Sequence, residues 1–285
     1  MEKITLAHII SPKNFNDPKN GNSILQPIAF ESLRVAKQNA SGLEVQLFST
    51  QYAEDRDYVP DFFTKTEDLS RSIRDIKRFW PDKKLPLMAD ILQKLYENSD
   101  AEYVIYTNSN ISVQPDFYQT VAGIISQGYD GFAINKRMIA DKYSDPSQLP
   151  QMYLEKGEWH AGFDCFVFRR EALPNYYLGT TCLGVPYFDW LLLLNIWRHA
   201  RKFHLYKELT ATFQIGSDAK KLWKQPWALP YQNHNLRHLK KFLRGLSKEQ
   251  KKRSLLIADW EPLFADTYLN KLAGRVGIFL RSFST

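Results

Sequence analysis

Between residues 3 and 135, short runs of β-branched and aromatic residues take turns with longer stretches whose apolar side chains recur at helical spacing. No other feature of the chain narrows its fold so far. Residues 3–10 read as a strand. In 24–39, Leu25, Ile28, Ala29, Leu33 and Ala36 fall on one helical face, and 43–48 alternates as a second strand. A helix is expected over 66–79, with Leu69, Ile73 and Ile76 inward and Asp68, Arg71, Arg74 and Asp75 outward. Another is expected over 87–98, then a strand at 103–106, a helix over 115–127 and a strand at 131–135. Strands that alternate with helices pair as a mostly parallel sheet, because each crossover returns the chain to the same end of the sheet before the next strand begins. The fold class expected is therefore α/β, with helices flanking a central sheet.

The strand Tyr103-Val-Ile-Tyr106 is apolar throughout, as a strand covered on both faces requires, and it runs into the polar triplet Asn108-Ser109-Asn110. Strand side chains alternate, so Asn108 and Asn110 project to one side. Ligands of open α/β sheets bind at the carboxyl ends of strands, which makes the triplet a candidate site for a phosphate-bearing substrate and its metal. Further along, residues 141–158 are polar, contain proline and are long enough to form a lid. Gly162-Phe-Asp164 then opens a buried strand with Asp164 at its mouth, and Asp189 precedes an apolar helix running to about residue 200.

A chain of 285 residues can bury a full α/β core. We expect one large domain, residues 1–216, followed by a basic, aromatic, helical C-terminal extension, residues 217–285. Lys and Arg outnumber Asp and Glu by 38 to 31, a net +7 that favours anionic partners without choosing among them. Cys165 and Cys182 lack the spacing of a zinc site or a disulfide framework, which points to a reducing compartment. The N-terminus enters a strand at once, without a signal-peptide core, and no run approaches the roughly 20 apolar residues of a membrane span, so the expected location is cytoplasmic. The tail bearing Lys271, Arg275, Phe279, Arg281 and Phe283 reads either as a packed terminal helix or as an amphipathic one touching the inner face of a membrane. Neither a dinucleotide-binding glycine fingerprint nor a P-loop is present. The basic helix over 237–253 belongs to no recognised nucleic-acid module, so no nucleic-acid partner is expected.

Taken in order, the first strand, loop and helix, the run Lys84-Leu-Pro-Leu-Met-Ala-Asp90, the triplet strand and Gly162-Phe-Asp-Cys-Phe-Val-Phe-Arg-Arg170 resemble the GT-A fold of nucleotide-diphospho-sugar glycosyltransferases. The resemblance covers residues 3–216 and is to bacterial glycosyltransferase-like proteins whose triplet normally ends in Asp. It implies a Rossmann-like sheet, a nucleotide-sugar donor, and a glycan, lipid-linked or small-molecule acceptor, with a place in polysaccharide biosynthesis. It also implies that the loops over 11–22 and 50–57 read the nucleotide, with Asp55 or Asp57 on the ribose. Asp90, Asn108, Ser109 and Asn110 then lie on the donor, Asp164 contacts the donor sugar or acceptor hydroxyls, and Asp189 is the catalytic carboxylate. In this family Mn²⁺ or Mg²⁺ offsets the leaving diphosphate, here placed at Asn110 with His234 as a late ligand.

Lys84 and Arg137, each beside a strand or helix end, are candidates for pairing with phosphate, and Arg suits bidentate contact. Both also read as solvated surface residues, Asp189 as a helix N-cap and His234 as a capping residue. The triplet departs from the family by offering neutral amides where a hard cation wants anionic oxygen. Gln214-Ile-Gly216 departs again, standing where a His-x-Gly is usual. Three readings follow: transfer with basic residues in place of the ion, a nucleotide-sugar or glycan-binding protein that has lost catalysis, or an Asp exchanged deliberately to hold substrate.

Overall fold

A computed structural model describes residues 3–15, 22–216 and 225–257. The chain divides into two compact units, residues 1–242 and 243–285. Among the described residues, the first unit holds strands β1 (Thr5–Ile10), β2 (Glu44–Ser49), β3 (Thr64–Lys65), β4 (Tyr103–Thr107), β5 (Ser112–Val113), β6 (Gly131–Ile139), β7 (Glu158–Arg169), β8 (Phe203–Tyr206) and β9 (Thr212–Ile215). Helices α1 (Asn22–Gln38), α2 (Met88–Asn98), α3 (Phe117–Ser126), α4 (Leu149–Leu154) and α5 (Phe188–His199) join them, and α6 (Leu229–Arg244) starts in this unit and ends two residues past its boundary. In the second unit, α7 (Lys248–Ile257) starts at a reciprocal cap in which Ser247 and Gln250 each accept the other's backbone N–H.

The strands form one sheet in the order β3-β2-β1-β4-β7-β6-β9-β5, with β8 also on β6. β1 pairs in parallel with β2 and β4, and β2 with β3, as the alternation of strands and helices requires. β7 runs antiparallel to both β4 and β6. One edge of β6 is shared, β8 pairing along Gly131–Ile134 and β9 along Arg137–Ile139. The main core lies where α1 and α3 pack on the sheet, around Leu6, Leu33, Ile105, Phe117, Val121 and Val167. In α1, Ile28, Ala29, Leu33 and Ala36 are buried, the stripe read from their spacing.

At the carboxyl end of β1 and β4 the core turns polar. His8 is buried, one ring nitrogen 2.9 Å from the Tyr118 hydroxyl and the other 2.9 Å from the Thr107 hydroxyl. Burial pushes its pKa down to about 3, so the imidazole is neutral and pins β1, β4 and α3 together.

The structure corrects the helix expected over 66–79. That segment is extended except for a single 3₁₀ turn, Ile73–Asp75. Its backbone N–H groups bond outward instead of along a helix: Thr66 to Ser49, Leu69 to Gln51 and Ile73 to Leu85. Ser72 and Asp75 close the turn reciprocally. Leu69 and Ile73 are buried as expected, but through an extended path. The lid segment 141–158 carries structure of its own, the 3₁₀ turn Pro146–Gln148 and helix α4. Among the described residues, no helix is long and apolar enough to cross a membrane. The basic tail from Lys271 to Phe283, Trp223 and residues 16–21 of the first loop lie outside the described residues.

Candidate functional site

The triplet leaves β4 at Thr107, which pairs with Cys165 of β7. Because β7 is antiparallel, its residue 164 falls beside the carboxyl end of β4. Asp164 is therefore not at the mouth of a strand but within one that starts at Glu158. The pairing of β6 with β7 steps from Ile134–Cys165 to Asn135–Phe163, so the register skips Asp164, and it shifts again between Asn135 and Arg137. These are β-bulges, which re-aim side chains out of the regular alternation. Here they set Asp164 and Lys136 face to face, Lys136 Nζ lying 2.9 Å from Asp164 Oδ2. Asn108 Nδ2 donates to Asp164 Oδ1 at 2.6 Å, and the Tyr106 hydroxyl donates to Asn108 Oδ1 at 2.9 Å. Tyr106, Asn108, Asp164 and Lys136 thus form one chain of contacts. Little water reaches it, since the side chains of Lys136 and Asp164 are only 7% and 16% exposed.

Asp189 completes the group. It is not the N-cap of α5, which is Tyr187, but lies in the first turn, where its carboxylate accepts the Tyr187 N–H at 3.0 Å. Tyr187 itself has φ 81°, a left-handed conformation that a tyrosine adopts at a cost and that recurs where a site is held in strain. Burial pushes the Asp189 carboxyl up to about 6, and the nearby Asp164 adds to the rise, while the backbone N–H groups of Trp190 and Tyr187 oppose it. Desolvation outweighs the helix start, which by itself favours the carboxylate. The same two carboxylates, after burial, raise the Tyr106 phenol.

The remaining expected residues divide. Asn110 donates to Asn22 Oδ1 at 3.1 Å, joining the triplet to the start of α1, and Ser109 sits partly exposed between the two amides. Beyond β2, buried Asp55 accepts the Asn14 N–H at 2.8 Å, which ties the loop after β1 to the loop after β2. Burial is the main cause of its raised pKa. Lys84 lies 2.5 Å from Glu54 and 3.8 Å over the Tyr52 ring, and Asp90 takes both ends of the Arg71 guanidinium at 2.7 and 2.8 Å. These residues ring the ends of β1 and β2.

Arg137 and His234 are directed elsewhere. Strand alternation sends Arg137 away from its neighbour Lys136, and its guanidinium donates to the Glu155 and Lys156 carbonyls and lies 5.6 Å over Phe213. It holds the base of the lid segment. His234 meets Thr180, Phe79 and His238. Sequence reasoning singled out Arg137 of the basic pair, whereas it is Lys136 whose side chain lies against Asp164. The period-two alternation was the available signal, but the bulges that settle the matter are not visible in sequence.

Among the described residues no three His, Cys, Asp or Glu side chains come together as a metal site. Asp164, the carboxylate bonded to the triplet, is already paired with an ammonium, and Asn108 spends its carbonyl on Tyr106. This donor set does not fit a hard divalent ion, which wants several anionic oxygens.

No model of a known protein family matches this sequence, and no curated protein does. Solved structures do match. TarS 1-349 of S. aureus, determined with UDP-GlcNAc, superimposes with a TM-score of 0.52 at 10% identity, over 87% of this chain and 69% of that one. This chain has the GT-A fold. A longer S. aureus TarS chain, of which this chain covers 44%, gives a TM-score of 0.44 at 11% identity over 86% of this chain. Glucosyl-3-phosphoglycerate synthase of Mycobacterium tuberculosis, in complex with phosphoglyceric acid, also gives 0.44, at 12% identity over 82% of this chain and 80% of that one. Within the GT-A fold of this chain, the Asn108–Asp164–Lys136 group and Asp189 occupy the sheet end where α/β folds place ligands.

Proposed function

We propose that this protein is a glycosyltransferase that moves a sugar from a nucleotide-diphosphate donor to a hydroxyl of a glycan or lipid-linked acceptor. The observation that carries the reading is the desolvated carboxyl of Asp189, raised to about 6, beside a buried ammonium–carboxylate pair at the carboxyl end of β4. A base for this chemistry must take the acceptor's O–H proton at neutral pH, and a carboxylate raised to about 6 is both ionised and basic enough to do so. The acceptor oxygen then attacks the anomeric carbon, and the bond to the diphosphate oxygen breaks with its electron pair going to the leaving group. Lys136 is the fixed positive charge facing that oxygen, a preorganised electrostatic role. Asp164 orients the ammonium, and Asn108 orients Asp164. Asp55 and the loops after β1 and β2 hold the nucleoside, with Lys84 as a peripheral cation. TarS, solved with UDP-GlcNAc on the same fold, supports a nucleotide-sugar donor.

The test is transfer and donor hydrolysis across a panel of UDP-, GDP-, CMP- and dTDP-sugars, with and without Mn²⁺. Turnover of at least one donor, unchanged by chelator, is the expected outcome. Binding without turnover of any donor would instead favour a nucleotide-sugar-binding protein, and Asn110→Asp recovering activity only with Mn²⁺ would restore the metal reading. Failure of every donor to bind or react sinks both.

A further inference from the structure

Loop 74–84 is tied down at both ends of its tip, yet it leaves an indole in water. Phe79 stacks on Tyr231 of α6 at 4.5 Å. The Tyr231 hydroxyl donates to the Pro81 carbonyl at 2.6 Å and accepts the Lys83 N–H at 2.7 Å. Trp80, between these anchors, is 87% exposed, and Leu229 at the start of α6 is 57% exposed. Trp80 is thus held at the surface of a fixed loop beside a second exposed apolar side chain, and the residues around the pair decide what they can meet.

The charge around it narrows the partner. Arg74, Lys77, Arg78 and Lys83 are exposed in the same loop. Arg74 pairs with Asp82, whereas Lys77 and Lys83 lie over the Phe79 and Trp227 rings, and among the described residues neither they nor Arg78 meets a carboxylate. Lys77 and Arg237 of α6 both act on His234, so the basic surface continues onto that helix. An exposed indole set among unpaired cations matches the headgroup region of an anionic bilayer, where Trp partitions and each nearby Lys or Arg contributes about 1 kcal/mol. A polyanion read by stacking would want a row of open rings, but Phe79 and Tyr231 are buried beneath the surface.

We infer that the 74–84 loop, with the start of α6, docks on an anionic lipid surface, Trp80 entering the interface and Lys77, Arg78 and Arg237 meeting lipid phosphates. Lys84, at the end of this loop, reaches Glu54 beyond β2, so the docked bilayer lies at the candidate site's end of the sheet, where a lipid-linked acceptor arrives. Docking itself does not depend on the transfer reaction and is measured without it.

The experiment is flotation of the full chain with vesicles of phosphatidylcholine alone and of phosphatidylcholine mixed with phosphatidylglycerol. Binding is expected only with the anionic lipid and is expected to fall with added salt. The paired Lys77→Glu and Arg78→Glu exchange should lower the partition coefficient at least about tenfold. Trp80→Ala should lower it several-fold, with circular dichroism unchanged in both variants. Three results overturn the inference: no flotation on anionic vesicles, flotation of both variants at the parent level, or release by heparin with Trp80→Ala binding vesicles as the parent does.

Discussion

At the scale of single residues, the proposed base Asp189 carries a cost in stability. Its pKa of about 6 lies above the roughly 3.9 of a free Asp, so the fold favours the protonated form. If Asp189 is the base, kcat/KM rises with pH through about 6 and then levels. Asp189→Asn should lower kcat by about 10² to 10⁴ with donor binding retained, measured by steady-state kinetics and nucleotide titration. The linked stability effect has the opposite sign. Below about pH 4 both states are protonated and the carboxyl costs nothing. As pH rises from about 4 to 6 the unfolded state ionises first, and above 6 the full penalty is present. Thermal denaturation of Asp189→Asn should therefore show a higher midpoint than the parent at pH 8, the two converging near pH 4; a lower midpoint at pH 8 would contradict a desolvated carboxylate.

Lys136 behaves differently, because its partner is buried with it. Lys136→Met leaves Asp164 as a lone buried charge and should cost about 3 kcal/mol in urea unfolding. The double exchange with Asp164→Asn should recover most of that stability and none of the activity. Recovery of both would make the pair a packing device only. This pair also marks the limit of reading from sequence at this scale. The positions of Asn108 and Asp189 were legible, because each stands next to an apolar run whose end is visible, whereas Asp164 was read at a strand's mouth and lies inside β7. Lys136 and Arg137 were indistinguishable as letters, and their roles separate only through the register shifts of β6 on β7.

At the scale of elements, helix α5 carries Asp189 at one end and packs on β6 at the other. A Cβ on Gly131 would lie 2.6 Å from Ala200 Cβ and 2.8 Å from Ile196 Cγ2, so β6 and the end of α5 meet at a distance only glycine permits. Gly131→Ala should cost about 1–3 kcal/mol of stability. By tilting α5 it should also lower kcat more than it raises KM for donor, a split that simple loss of folded protein does not produce. The strands and helices with a clean period of their own, β1, α1, β2, α2, β4 and α3, were legible because local pattern and tertiary burial agree there. Residues 66–79 were not. Leu69, Ile73 and Ile76 stand at spacings a helix would use, but the backbone donors of that stretch are claimed by Ser49, Gln51 and Leu85, and those long-range bonds leave no trace in local spacing.

At the scale of the molecule, one sheet end gathers everything the proposal needs. Parallel pairing of β2, β1 and β4 brings the loops after them to the same side, and antiparallel β7 returns Asp164 to that side as well. The Asn14–Asp55 bond and the Asn22–Asn110 bond tie these loops to one another. A nucleoside diphosphate bound across them touches several strands at once, so its binding energy stabilises the first unit as a whole and not one loop. At a ligand concentration about 100 times its Kd the gain is about 2.7 kcal/mol, which for a unit of this size raises the melting midpoint by about 5–10 °C. We expect one of UDP, GDP, CMP and dTDP to produce that shift in a thermal-denaturation screen. On the proposed reading, in which the Lys136 ammonium faces the diphosphate, the shift should persist in a chelator and Lys136→Met should reduce it. A shift that appears only with Mn²⁺ would assign that charge to a metal. A shift with none of the four would remove the nucleotide from this end of the sheet altogether.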